Sequence, residues 1–194
     1  MNIKKMFTAL SAMVVAVTMS MPSVSVFGAT YSAELEGAYN WAHEKGVTTM
    51  SSIDNANMYG AITRAEMAKM LSVYATEVLD YKADTSKACN FTDIDSVKGD
   101  LHDYIILSCQ LGLMGQGITA FRPYDTISRA EFGTALSRTL WGSQYEGGNP
   151  YYANHLNALK AAGIMNQIAN AESTKEVRGY VMLMLQRSEG SSEG

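Results

Sequence analysis

The sequence predicts an all-α protein built from three copies of one helix–loop–helix unit. The chain has 194 residues, of which 47% are hydrophobic and 18% charged, so it can bury a sizeable core. Three arginines, Arg64, Arg129 and Arg178, each begin a matching apolar stripe, and a glycine precedes each of them by 15 to 18 residues. Because one such unit cannot bury its apolar face alone, the three copies should share a core.

The first segment, residues 1–29, has the pattern of a secretory signal peptide. Lys4 and Lys5 precede an apolar run over residues 6–19, and small residues follow it. An uncleaved anchor is the alternative, although the run is shorter than the roughly 20 residues that a bilayer span needs. We expect cleavage, a protein that acts outside the cytoplasm, and no remaining membrane span.

The first unit is expected at residues 30–82. Gly46 should end its first helix, because glycine readily adopts the left-handed conformation that closes a helix C-terminus. Thr63 and Glu66 have the spacing of a capping box, which predicts the start of the second helix.

The second unit, residues 83–142, repeats this order with Gly112 as the stop and with Ser128 and Glu131 as the capping box. Pro123 predicts an extended segment shortly before that second helix.

The third unit, residues 143–187, is degenerate. Gly163 is its stop, but Val177 and Tyr180 occupy the capping positions. Residues 188–194 are polar and are expected to form a disordered tail.

The two cysteines, Cys89 and Cys109, lie 20 positions apart. In an oxidising compartment they are expected to form a disulfide, and two buried free thiols are the alternative. The spacing differs from the C-x-x-C of redox-active pairs.

Charge and motifs disfavour several function classes. The formal net charge is −4 and no block of Lys or Arg is present, which disfavours nucleic acid as a partner. The three histidines lack metal-ligand spacing, and the acidic residues near Asp93 fail the calcium-loop pattern. With no nucleophile motif either, we expect a protein that is not an enzyme and uses no metal or cofactor.

Four segments of the second unit together resemble the S-layer homology (SLH) family. They are Phe91-Thr92-Asp93, Leu111-Gly112-Leu113, Phe121-Arg122-Pro123 and Ile127-Ser128-Arg129-Ala130-Glu131. In the first unit, residues 62–66 match the signature pentapeptide of that family. The resemblance covers residues 31–187, although the third unit keeps only Gly163-Ile164 and Arg178.

The resemblance implies a pseudo-threefold helical bundle and a place in the cell wall or surface layer. Proteins of this family bind acidic secondary cell-wall polysaccharides, often pyruvylated, in grooves between units. By position, Arg64 and Arg129 would be the main ligand contacts and Arg178 a third. Gly46 and Gly112 stand where the family lets ligand approach the backbone, and Asp93 stands at its Phe-x-Asp position. The family's aromatic residue near the first helix start is replaced by Leu35 and Leu101, and only Tyr152 keeps an aromatic there.

A physical argument also favours an anion beside these arginines. A first-turn arginine should stand next to free backbone N–H groups and the positive end of the helix dipole, while the nearby glutamate is engaged in the cap. The alternative is that the arginines are solvated or pack their stems on neighbours. If they are ligand contacts, replacing Arg64 and Arg129 with Ala should abolish binding and leave the thermal midpoint nearly unchanged.

The function expected from the sequence is therefore a secreted, non-catalytic envelope protein that binds a cell-wall polysaccharide. The alternative is a small structural coat subunit or a protein–protein interaction module, which could self-associate in a surface layer without binding glycan.

Overall fold

The computed structural model describes residues 30–191, and this part of the chain holds six α-helices and no β-strand, only isolated bridges. The helices are α1 (Ala33–Glu44), α2 (Arg64–Glu77), α3 (Leu101–Gln110), α4 (Arg129–Trp141), α5 (Ala153–Ala161) and α6 (Arg178–Ser188). The predicted all-α class is confirmed over this range. The predicted signal peptide, residues 1–29, lies outside the described residues.

Over residues 30–191, no helix combines the length and apolar character that a membrane crossing requires.

The predicted helix stops and starts are found where the sequence places them. Gly46, Gly112 and Gly163 follow α1, α3 and α5 with φ angles of +73°, +78° and +72°, a region that favours glycine. Both capping boxes form, at the starts of α2 and α4, whereas Val177 gives α6 no side-chain cap.

The helices pack in a different pairing from the one that the units suggest. Helix α2 packs on α3, α4 packs on α5, and α6 packs on α1. The loop within each predicted unit contributes buried side chains to the core, among them Met58, Phe121 and Ala171. Each helix pair therefore links one predicted unit to the next, and the pairing of α6 with α1 links the third predicted unit back to the first.

Three short extended segments meet just before α2, α4 and α6. Ile62 N–H donates to the carbonyl of Glu176, Glu176 N–H to that of Ile127, and Ile127 N–H to that of Ile62. Antiparallel bridges flank this ring. We call Ile62, Ile127 and Glu176 the central ring. All three side chains are fully buried, so the third member places a carboxylate where the other two place an isoleucine.

The predicted disulfide is confirmed, since Cys89 and Cys109 are bonded to each other. It joins the segment before α3 to the last turn of that helix.

The chain end is more ordered than the sequence suggests. Ser188 is the last residue of α6 and is fully buried. The Glu189 carboxylate accepts a hydrogen bond of 2.7 Å from the Trp41 indole and lies 3.1 Å from the Lys45 ammonium. The Trp141 indole donates to the Ser191 carbonyl. The expected tail therefore does not begin at 188, because two tryptophans hold residues 189–191; residues 192–194 lie outside the described residues.

Candidate functional site

Each first-turn arginine lies near a carboxylate from another of the predicted units. The shortest N···O distances are 3.8 Å for Arg64–Glu131, 3.0 Å for Arg129–Glu176 and 2.5 Å for Arg178–Glu66. Glu66 and Glu131 each use one oxygen in their own capping box and turn the other toward an arginine. Both glutamates are engaged in their caps as expected, but the expectation that this leaves the first-turn arginines without a carboxylate partner is wrong, because each arginine pairs with a carboxylate from elsewhere in the chain.

The first backbone N–H groups of α2, α4 and α6 are also not free. The first two N–H groups of each helix donate, at 2.7 to 3.0 Å, to carbonyls of a neighbouring loop. These donor–acceptor pairs are Arg64–Asp125, Ala65–Pro123, Arg129–Thr174, Ala130–Ala171, Arg178–Gly60 and Gly179–Met58. Because loop carbonyls already occupy the positive helix ends, an anion would have to bind the arginine side chains instead.

Arg64 lines a groove of about 550 Å³, which we call the first groove. The loop that begins at Gly112 forms one part of its lining, and Arg138 of α4 and the half-exposed Tyr151 form others. Arg64 Nε donates to the Phe121 carbonyl at 2.8 Å, and its guanidinium lies 5.2 Å from the centre of the Phe121 ring. Burial, together with the nearby Arg122 charge, lowers the pKa of Arg64, so an anion in this groove would offset an unfavourable setting for the guanidinium.

Arg129 lines a groove of about 380 Å³, the second groove, together with the loop that follows Gly163. Its guanidinium lies 5.9 Å from the ring centre of Tyr180 and donates to both carboxylate oxygens of Glu176. Arg187 of α6 and Glu34 of α1 also line this groove.

The two grooves are lined by residues at matching positions of α4 and α6. Each is lined by residues two, five, six and nine positions after the arginine that starts the lining helix. These are Glu131, Thr134, Ala135 and Arg138 in α4, and Tyr180, Leu183, Met184 and Arg187 in α6. Each groove therefore holds a second arginine. The corresponding residue of α2 is Val73, which would lie 4.0 Å from a side-chain carbon at Gly46.

The sequence analysis did not name these second arginines, Arg138 and Arg187. The signal was present, since both stand nine positions after a first-turn arginine in a helix whose buried face is apolar. Each is paired with an exposed carboxylate. Arg138 donates from Nε and Nη2 to the two oxygens of Glu146, at 2.6 and 3.0 Å. Arg187 Nη2 donates to Glu34 at 2.8 Å.

The other predicted site residues have different surroundings. Gly112 lines the first groove, and nothing within 4 Å would touch a side-chain carbon there, so ligand could approach the backbone. The two Asp93 oxygens accept N–H groups of Phe121 and Arg122, at 2.8 and 2.7 Å. Asp93 therefore holds the loop that contacts Arg64.

The Arg178–Glu66 pair shows how the arginines contribute to the fold. Burial alone would raise the pKa of Glu66, but hydrogen bonds from Arg178 and from the Thr63 backbone outweigh it and lower that pKa. This pairing ties α6 to the start of α2.

His155 of α5 lies behind the first groove and is fully buried. Its Nδ1 lies 3.0 Å from Ser137 Oγ, whereas its Nε2 has no hydrogen-bond partner and lies 3.7 Å from a Glu146 oxygen. Burial lowers the pKa of His155 below its ordinary value of 6.5, although the Glu146 charge opposes the shift.

We therefore expect stability to fall with acidification through His155. A folded-state pKa below the unfolded one means that the unfolded chain binds the proton more readily, so this contribution is complete above 6.5 and is lost as pH falls from there. In urea titrations between about pH 7 and about pH 5, His155→Asn should reduce the loss of unfolding free energy. His43 and His102 remain in both proteins, so equal slopes for the wild type and the variant would contradict the prediction.

Comparison with known proteins gives no further assignment: no protein-family model matches the chain, and no curated protein matches it significantly. Within residues 30–191, no group of three or more His, Cys, Asp or Glu side chains is placed to hold a metal ion.

Proposed function

We propose that this chain is a secreted, non-catalytic cell-envelope protein that binds an acidic secondary cell-wall polysaccharide. In this proposal, residues 30–82, 83–142 and 143–187 are three SLH-like units in a pseudo-threefold arrangement, and the grooves between units are the binding sites. A glycan that carries carboxylate groups, as a pyruvylated one does, suits the guanidinium groups.

One observation carries the proposal: the two grooves repeat the same construction. In each groove a first-turn arginine, of α2 or α4, is joined by the loop after a glycine stop and by a second arginine, which stands nine positions after the arginine that begins α4 or α6. Surface charges scattered by chance would not recur at matching positions of two cavities.

The arginines that line each groove suggest how a chain with a net charge of −4 could bind an acidic polymer. Arg64 and Arg138 stand together in the first groove, and Arg129 and Arg187 stand together in the second. Each of these arginines is paired with a glutamate in the free protein, so a ligand carboxylate would have to replace or join such a pair, where it would meet two guanidinium groups in one cleft. A half-exposed tyrosine in each groove, Tyr151 or Tyr180, offers an aromatic face for a sugar ring.

Binding should weaken when the second arginines are removed. We expect Arg138→Gln and Arg187→Gln each to lower the affinity for purified wall sacculi about tenfold, because a charge-assisted hydrogen bond to the glycan is lost. The measurement is a retention titration on sacculi before and after the secondary polymer is stripped.

The control variant is Lys82→Gln, which also removes one positive charge but from an exposed Lys82–Asp80 pair outside both grooves. Equal retention on stripped and intact sacculi, or equal losses for the control and the arginine variants, would reject glycan binding. Negative-stain microscopy then tests the alternative, since a lattice without glycan binding would indicate a structural coat subunit.

A further inference from the structure

The exposed glutamates Glu146 and Glu34 occupy the same guanidinium groups that the glycan would need. We infer that both are built-in substitutes for the ligand carboxylate: in the free protein each neutralises the second arginine of its groove, and ligand binding displaces it. This inference rests on the proposed function and narrows the ligand to a polymer whose anionic group is a carboxylate.

The Arg138 guanidinium of the first groove is already paired with a carboxylate in the geometry that a ligand carboxylate would adopt. Arg138 Nε and Nη2 donate in parallel to the two oxygens of Glu146, which is the two-point pairing that guanidinium forms with a planar carboxylate. The Arg138 hydrogen bonds also lower the pKa of Glu146, which favours the charged carboxylate in this pair.

The second groove has a related pair with a residue from elsewhere in the chain: Arg187 donates from Nη2 alone to Glu34, while its Nη1 donates to the Ile164 carbonyl. Glu34 belongs to the first turn of α1, whereas Glu146 belongs to the loop after α4. Although they come from unrelated positions of the repeat, each pairs with the arginine nine positions into the lining helix. The same partner choice in both grooves argues that the pairing is a property of the site.

Solvent exposure separates the carboxylates that a ligand could displace from an arginine from the one that it could not. The Glu146 and Glu34 side chains are 44% and 67% exposed, so each pair contributes little stability and its carboxylate can return to water. Glu176, which pairs with Arg129, is 0% exposed and cannot be released in this way. Each groove thus combines a first-turn arginine held by the fold with a second arginine whose partner is exchangeable.

In the first groove, a displaced Glu146 carboxylate also has a possible hydrogen-bond partner nearby, the Nε2 of His155. His155 Nε2 is buried, lacks a partner and lies 3.7 Å from Glu146 Oε2. A short movement of Glu146 away from Arg138 would give this nitrogen the hydrogen bond that it lacks, which offsets part of the cost of displacement.

The test removes the competing carboxylates. Glu146→Gln and Glu34→Gln should each tighten binding to intact wall sacculi about fivefold, the upper range for an exposed ion pair. Asp80→Asn is the matched control, since it also removes one negative charge from an exposed pair but lies outside both grooves. Amidation of the sacculus carboxyl groups, which spares phosphates, should abolish the gain.

The outcomes separate this inference from the proposed function. If the wild type binds and the two glutamine variants bind no better than Asp80→Asn, the inference is overturned and the proposed function stands. A gain that survives amidation also overturns it and indicates a phosphate group as the ligand anion. If the wild type is not retained on intact sacculi, the proposed function fails and the inference fails with it.

Discussion

Arg129→Met is expected to lower the free energy of unfolding by about 3–5 kcal/mol, the cost of leaving a buried carboxylate without its partner. Glu176 is 0% exposed, and Arg129 reaches both of its oxygens. Urea or guanidinium titration followed by circular dichroism measures the change. Arg122→Met is the control, because Arg122 is 59% exposed and its removal should cost less than about 0.5 kcal/mol.

A second substitution distinguishes a broken ion pair from a general loss of packing. Ile62 and Ile127 are the other two members of the central ring, so Glu176→Ile gives the third position the same apolar side chain. Combined with Arg129→Met, it should restore most of the lost stability, because replacing both partners of a buried pair with apolar groups is often neutral or stabilising. A double variant no more stable than Arg129→Met alone would show that the ion pair is not the cause.

A test of binding needs arginines whose removal does not also destabilise the fold. The sequence suggested that replacing Arg64 and Arg129 with Ala would leave the thermal midpoint nearly unchanged. In the structure, Arg129 is the partner of a buried glutamate and Arg64 holds the Phe121 loop. A loss of retention in that double variant would therefore mix unfolding with lost contacts. Arg138 and Arg187, whose partners are exposed, separate the two effects.

Local features of the sequence predicted local structure well. A glycine stop and a capping box each act within a few residues, so Gly46, Gly112, Thr63 and Ser128 were sufficient to place helix ends that the structure confirms. The cysteine pair was predicted from compartment and spacing, and it also forms.

The features that the sequence did not predict join distant parts of the chain. In the sequence Glu176 resembles any charged residue, but in the central ring it takes the place that isoleucine takes at Ile62 and Ile127, and it pairs with Arg129. The pairing of the helices depends on which predicted units are neighbours in space. The same is true of the loop carbonyls that accept the first N–H groups of α2, α4 and α6. One sequence does not fix that neighbour relation, so the anion site at the helix ends was predicted where loop carbonyls already accept the first two N–H groups of α2, α4 and α6.

Reduction of the Cys89–Cys109 disulfide is expected to lower the free energy of unfolding by about 3 kcal/mol, from the entropy that a cross-link removes from an unfolded loop of this length. The two cysteines are 20 positions apart. The wild type should show this loss when dithiothreitol is added. The variant with both Cys89→Ala and Cys109→Ala should have the same free energy of unfolding with and without dithiothreitol. Because the reduced wild type keeps both side chains, it isolates the cross-link from the packing lost in the variant.

The disulfide should also affect the first groove more than the second. Cys89 and Cys109 line a small cavity with Gly115, Gln116 and Ile118, and these same three residues of the loop also line the first groove. Loss of the cross-link should loosen this loop, so reduction should weaken the contribution of Arg138 to sacculus binding and leave that of Arg187 unchanged. If reduction weakens both contributions equally, the effect is global unfolding. If it weakens neither while stability falls, the loop is held without the cross-link, by its packing on Phe91, the ring that a side-chain carbon at Gly115 would meet at 2.6 Å, and by the hydrogen bonds of Gln116 to the Cys109 and Met114 carbonyls.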